Sequence, residues 1–372
     1  MVNLAVAEPG VLGDRILFGQ VAALTGPAAA LGQEMRQGLL AAFAEVNGAG
    51  GINGRKLELI SRDDGYEPTR SVEATKRMIE DDKVFALVGA VGTPTSIATQ
   101  PMAAAAGLPF IGAFSGAEFL REPQNSNVVN VRASYFQETE TMVAHLTEDR
   151  GVTRIAILYQ DDAFGRAGLM GVQRALDRRA MKLVSEGRFE RNTVAVKMAL
   201  FSIRKGNPEA VIMIGSYRPC AAFIKLARQQ KLDALFVNIS FVDSDALAGE
   251  LGPEGAGVIV TQVVPFPGDS SIPLVGRYLS ALKSSDPDVR PGFVTLEGYL
   301  VGRLVIAALG KIEGEPTRLA LLQAIAGSTF DLGGVTLSYG LNDNRGSDQV
   351  FLTVIQPDGS FKAVKTLDRV GG

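Results

Sequence analysis

Apolar and polar positions follow two rhythms along the chain. Short apolar runs rich in β-branched residues at 16–24, 57–62, 85–88 and 109–112 read as strands. Between them apolar residues recur at helical spacing. Met35, Leu39, Phe43 and Val46 mark one face of a helix over 33–47, and 69–82 and 96–106 read the same way. A second series follows: helix 136–150, strand 154–159, helix 165–179, strand 182–187, helix 194–205, strand 210–214, helix 219–230 and strand 235–239. Alternation of this length predicts an α/β fold with parallel sheets covered on both faces. Two series of similar size predict two Rossmann-like lobes. The break at 131–134 is short and carries no Pro/Ser-rich linker, so strand-like hinges are expected to join the lobes.

Composition narrows the partners. The 372 residues are 46% apolar and 21% charged, enough for two cored domains. The net charge of −3 gives no footprint for nucleic acid. No apolar run reaches the ~20 residues of a membrane-spanning helix. A single cysteine, Cys220, rules out an internal disulfide and a multi-Cys zinc site, and the single histidine, His145, limits acid–base and metal chemistry. Neither metal nor cofactor is expected, and a monomer is. Ala5-Val6-Ala7 before Glu8-Pro9 has the small-x-small pattern of a signal-peptide cleavage site, although residues 1–7 lack a basic region. A trimmed signal and an extracytoplasmic location are the expectation; an ordinary chain start is the alternative.

In open α/β sheets ligands sit at the carboxyl ends of strands, where helices begin. After strand 85–88 come Thr93, Thr95 and Ser96 at a helix start, with Pro94 in the first turn. Hydroxyls and free amides there can cradle a carboxylate, the helix terminus alone adding about 0.3–1 kcal/mol. Plain helix capping is the competing explanation. After strand 109–112 come Ala113-Phe114-Ser115-Gly116. In the second series the corresponding positions hold Asp161-Asp162-Ala163-Phe164, Ser216-Tyr217 and Ser240-Phe241-Val242-Asp243. Polar donors on one lobe and aromatic covers on the other suit a clamshell site. Taken singly, Phe164 and Tyr217 are as well explained by packing.

Enzymatic constellations are missing. There is no G-x-S-x-G, G-x-G-x-x-G, Cys-x-x-Cys or His-Glu-x-x-His. Asp161-Asp162 could pose as an acid–base pair, but adjacent residues do not face each other. Cys220 opens a helix without a nearby histidine. A binding protein is expected, not an enzyme.

Leu24-Thr25-Gly26-Pro27, Gly32, Gly50-Gly51-Ile52-Asn53-Gly54-Arg55-Lys56-Leu57 and Arg62-Asp63-Asp64 carry a resemblance. Here the chain resembles the branched-chain amino acid (Leu/Ile/Val) binding proteins of ABC importers, with the type I periplasmic-binding fold. The likeness runs from about residue 16 to 355. It implies an amino acid or small carboxylate ligand captured by hinge closure, an ABC permease as partner and a periplasmic location. A ligand-sensing domain of a receptor or regulator with the same fold is the alternative. The resemblance further implies that Thr93 binds the ligand carboxylate with Ala113, Phe114 and Ser115 in the next loop. Phe164 and Tyr217 would face and cover the ligand, and Leu31 and Phe293 would line the side-chain pocket. Tyr66 and Gly92 occupy two positions where the family often has a disulfide. The acid that usually holds the ligand ammonium falls near Ser240. Either Asp243, Asp161 or Glu297 substitutes, or the ligand lacks an α-amine. Three crossings, near 131–134, 260–265 and 337–341, would divide the chain into lobe one (14–132 plus 264–338) and lobe two (133–263 plus 339–372).

Overall fold

The computed structural model describes residues 8–367; residues 1–7, with the Ala5-Val6-Ala7 pattern, and 368–372 lie outside it. The first lobe begins β1 (Arg15–Ala22), α1 (Ala29–Gly48), β2 (Lys56–Asp63), α2 (Pro68–Glu80), β3 (Ala86–Val88), α3 (Thr93–Ala105), β4 (Phe110–Ile111) and β5 (Val128–Val129). Its sheet is parallel, in the order β2-β1-β3-β4-β5. The second lobe holds α4 (Tyr135–Ala144), β6 (Ile155–Gln160), α5 (Ala163–Asp177), β7 (Ser185–Phe189), α6 (Lys197–Arg204), β8 (Ala210–Ile214), α7 (Tyr217–Gln229), β9 (Leu235–Asn238), α8 (Ser244–Leu251) and β10 (Ile259–Gln262). The chain then runs through α9 (Pro273–Ser285), α10 (Phe293–Leu309) and α11 (Arg318–Ile325). After these come β11 (Thr329–Asp331), β12 (Thr336–Gly340), β13 (Asp343–Gly346), β14 (Phe351–Ile355) and β15 (Phe361–Val364). The second sheet reads β15-β14-β10-β9-β8-β6-β7, parallel except for the two antiparallel strands at its β15 end.

The expected alternation is present, with differences that have physical reasons. All five residues of β8 are buried, as a central parallel strand requires. β7 sits at the sheet edge, where only Gly187 and Phe189 are buried, so its signal is alternation and it starts three residues later than the apolar reading placed it. α6 likewise begins at Lys197, after an irregular stretch. Residues 337–341, expected as a crossing, belong to β12 and its turn. The Tyr339 hydroxyl donates to Asn130 O at 2.8 Å, and Asn130 N–H donates to Asn344 O at 2.8 Å. The β12–β13 hairpin is thereby held to the end of β5, and the chain enters the second sheet only at β14.

The glycine-rich opening motif is built for the backbone. Gly51 has φ +78°, and a Cβ there would lie 2.1 Å from Arg55 O. Asp63 ties the loop after β1 in place: its carboxylate accepts from Leu24 N–H (2.8 Å), Thr25 N–H (3.0 Å), Gly65 N–H (3.0 Å) and the Thr25 hydroxyl (2.6 Å). Burial opposes ionisation of Asp63, but these donors outweigh it and hold its pKa down to about 2. The loop so fixed leads into the first turn of α1 at the mouth of the cleft.

α10 is buried on nearly every side and lies against α1 through small residues. A Cβ on Gly38 would stand 2.0 Å from Thr295 O, and one on Gly298 would stand 2.3 Å from Met35 O. The close approach fixes where the N-terminus of α10 meets the seam between lobes. Replacing Gly38 with valine is expected to lower unfolding free energy by at least about 2 kcal/mol, because the helices must separate. Urea denaturation monitored by far-UV circular dichroism measures it, and an unchanged midpoint would contradict the packing.

Candidate functional site

The carboxyl ends of both sheets face each other, and Leu31, Thr93, Ala113, Phe114, Ser115, Phe164, Tyr217, Ser240, Asp243 and Phe293 are buried there or nearby. Thr93 opens α3, whose N-cap Gly92 (φ +102°) supplies no side-chain cap. The Thr93 and Ser115 hydroxyls share a hydrogen bond of 2.8 Å, and the Tyr135 hydroxyl lies beside Thr93. Thr95 does not join them; its hydroxyl donates back to Val91 O and to Gly92 O at 3.0 Å. Ala113 contributes its carbonyl, which accepts from Ser115 N–H at 2.8 Å.

Aromatic rings from both lobes meet over this hydroxyl group. Phe241, in the short 3-10 turn after β9, is central: its ring centroid lies 4.5 Å from Phe164, 5.2 Å from Phe114 and 5.9 Å from Tyr66. Phe164 also meets Tyr135 at 5.4 Å. Tyr66 covers Gly92 so closely that a Cβ there would lie 2.3 Å from the ring. The two positions matched to a family disulfide are thus neighbours, joined by packing. Tyr217 reaches across the cleft, its hydroxyl accepting from Ala30 N–H at 3.5 Å beside buried Leu31. Phe293 belongs to a different set, edge-on to Phe266 and Phe361 at 5.8 and 5.7 Å.

Ser240 lies beside an acid that sequence reading missed. Glu138, in the first turn of α4, accepts from Ser240 N–H and Oγ–H at 2.9 Å each and from the Thr261 hydroxyl at 2.6 Å. Arg132, fully buried, bonds the Ser240 hydroxyl and stands 3.5 Å from Glu138 and 3.6 Å from Glu297 on α10. Its guanidinium also lies 4.7 Å from the Phe114 ring centroid. Burial works against the Arg132 charge, but Glu297 and Glu138 together hold its pKa above the ordinary value. Burial pushes Glu297 up to about 7 despite the pull of Arg132. The Ser134/Gln137 capping box, legible as S-x-x-Q, was the available signal that α4 starts here and places Glu138 in its first turn.

The other proposed acids go elsewhere. Asp161 is partly exposed and pairs with Arg166 (3.5 Å) and Arg188 (3.3 Å). Asp162 caps α5 through Phe164 N–H at 2.9 Å, so these two adjacent acids form no catalytic pair. Asp243 is buried and caps α8 through Ala246 N–H at 3.1 Å. Cys220 is buried, and burial pushes its thiol pKa up, away from nucleophilic reactivity.

At one rim of the cleft the lobes are clasped. Arg191 of lobe two pairs with Glu67 of lobe one at 2.9 Å and with Asp162 at 3.1 Å. The Asn192 amide donates to Glu67 at 2.7 Å and to Gly65 O at 3.1 Å, and Gln160 donates to the Tyr66 hydroxyl at 3.3 Å.

Comparison with known proteins matches the fold. The family described as periplasmic binding protein matches residues 15–360. The chain belongs to that family. A crystal structure from Rhodopirellula baltica, of a protein described as a possible leucine/isoleucine/valine-binding protein, is 39% identical; the match covers 94% of this chain and 96% of that one, with a TM-score of 0.90. A substrate-binding periplasmic protein from Ralstonia solanacearum is 28% identical, covering 94% and 99%, with a TM-score of 0.88. The leucine-, isoleucine-, valine-, threonine- and alanine-binding protein of Pseudomonas aeruginosa is 22% identical over 344 residues, 89% of this chain and 87% of that protein. Periplasmic binding proteins of this type bind small molecules outside the cytoplasm and are not enzymes. No helix among the described residues is long and apolar enough to cross a membrane.

In this periplasmic binding protein the Arg132–Glu138–Glu297 group is buried without water-facing relief. Removing Glu138 leaves Arg132 short of a counter-ion and leaves the Ser240 and Thr261 donors unmatched. Glu138→Ala is expected to cost about 3–5 kcal/mol of folding stability, read from chemical denaturation. A loss under about 1 kcal/mol would mean the group is not the junction described.

Proposed function

We propose that this chain is the solute-binding protein of an ABC importer and captures an amino acid or small carboxylate by closing its two lobes. One observation carries the reading: the Thr93–Ser115 hydroxyl pair stands at an uncapped helix N-terminus beneath aromatic rings supplied by the opposite lobe. Hydroxyls and helix amides suit a carboxylate, and the rings suit an apolar or aromatic body. The ligand docks on lobe one at Thr93 and Ser115. Lobe two then brings Phe164, Phe241 and Tyr217 over it, and the Glu67–Arg191–Asn192 clasp engages. The closed monomer is the form that a membrane permease reads.

The names of the relatives favour leucine-, isoleucine- and valine-like ligands. The Ser240 region adds a constraint, because Glu138 is already matched by Arg132, Ser240 and Thr261. Ligands without an α-amine therefore stand beside amino acids in the proposed range. A thermal-shift screen of amino acids, their keto acids and aromatic carboxylates distinguishes these classes, since a ligand at a hundred times its Kd stabilises the fold by about 2.7 kcal/mol. A screen in which none of these compounds raises the melting temperature would count against the reading. With a compound that does, Thr93→Ala is expected to weaken binding by about 1–3 kcal/mol without loss of fold, measured by calorimetry. Unchanged affinity removes Thr93 from the site.

A further inference from the structure

A second group of ionisable side chains lies in the seam between the lobes, at the N-terminal end of α10. Glu34 projects from α1 of lobe one, and Asp243 and Asp245 stand at the start of α8 of lobe two. Gly292 sits between them: a Cβ there would lie 2.7 Å from Asp245 Oδ2 and 3.5 Å from Glu34 Oε2. Asp245 accepts from Phe293 N–H at 3.4 Å. Asp243 Oδ2 and Glu34 Oε2 are buried and have no hydrogen-bond partner among the described residues. A cavity of about 610 Å³ opens beside them, lined by Glu34, Asp245, Arg290, Gly292 and Asp358 among others.

The surroundings offer little compensation. Arg290 is exposed where it lines the cavity. Asp358, in the β14–β15 turn, adds another negative charge. Tyr278 from α9 faces Asp245 and Glu34, and Tyr217 from α7 faces Asp243; neither brings a positive charge. No set of three acids, histidines or cysteines among the described residues has the arrangement to hold a metal ion. Carboxylates from two lobes are thus brought together in a half-dry seam, where like charges repel strongly.

We propose that this seam is a proton-binding site assembled by closure, so that the protein closes and holds its ligand more tightly in acid than at neutral pH. The inference rests on the closing motion set out above. Burial first, and the mutual repulsion of the acids second, raise Glu34 well above the ordinary carboxylate range. Burial and Asp245 push Asp243 up to about 7, and burial pushes Asp245 up to about 6. An acid whose pKa is higher in the closed form than in the open form takes up a proton on closing. Closure is therefore most favourable below the ordinary carboxylate pKa of about 4 and loses that contribution progressively as pH rises from there to 6–7.

Small-angle X-ray scattering of the full chain at pH 5.5 and pH 8, without ligand and with L-leucine, tests it. The closing equilibrium is expected to shift by about tenfold toward the compact form at pH 5.5, for one proton taken up. Glu34→Gln, and independently Asp245→Asn, should each narrow the difference in compaction between the two pH values, with far-UV circular dichroism confirming the fold. An identical pH response in wild type and both variants overturns the inference. So does compaction by L-leucine that is the same at both pH values in wild type, while leaving the closing motion intact. A radius of gyration that no condition changes overturns the inference; absence of closure with every compound that raises the melting temperature would overturn the closing motion.

Discussion

The junction of the two lobes depends on one buried cation. Arg132 follows the last strand of the first sheet and stands between Glu297 of α10 and Glu138 of α4. Taking a guanidinium out of water costs several kcal/mol, and only close carboxylates with their own hydrogen bonds repay it. Glu138 meets that condition through Ser240, in the turn after β9, and Thr261, in β10 of the second sheet. One side chain thus ties helix α10 of the first lobe, helix α4, the turn after β9 and strand β10 of the second. The aromatic wall hangs from the same point, since Arg132 lies over Phe114, and Phe241 follows Ser240.

Around that anchor the cleft has two unlike rims. At one, Glu67, Arg191 and Asn192 join opposite charges and amides across the gap. At the other, Glu34, Asp243 and Asp245 bring like charges together. The middle is filled by apolar rings that gain from burial whatever the pH. Attraction, packing and repulsion therefore act at separate places along one seam.

Much of the fold was legible in the chain. Central strands such as β8 are continuous apolar runs, and α1 shows its buried face at helical spacing. The edge strand β7 blurred because half its residues face water. The antiparallel β14–β15 pair escaped because it follows a hairpin instead of a helix and so falls outside the strand–helix alternation. At the candidate site, the grouping of Thr93, Ser115, Phe164 and Tyr217 was readable because each follows a strand end, where ligands sit in open sheets. Glu138, Arg132 and Glu34 were not singled out, because a charged residue in a helix or hinge reads as solvated until a distant element covers it. Ser240 was flagged for an acid it lacks, and the acid that meets it comes from a hundred residues earlier in the chain.

Tyr66 resting on Gly92 has a consequence for where the chain can fold. A covalent bridge at this point would have to be oxidised before the cleft took its final shape, and an oxidant or a disulfide-exchange catalyst would control that step. A ring laid on a glycine asks for neither. Cys220, sealed in its own lobe, offers no thiol for mispairing with another chain. The cleft can therefore form in a reducing or an oxidising medium alike, and thiol reagents have no bond here to break.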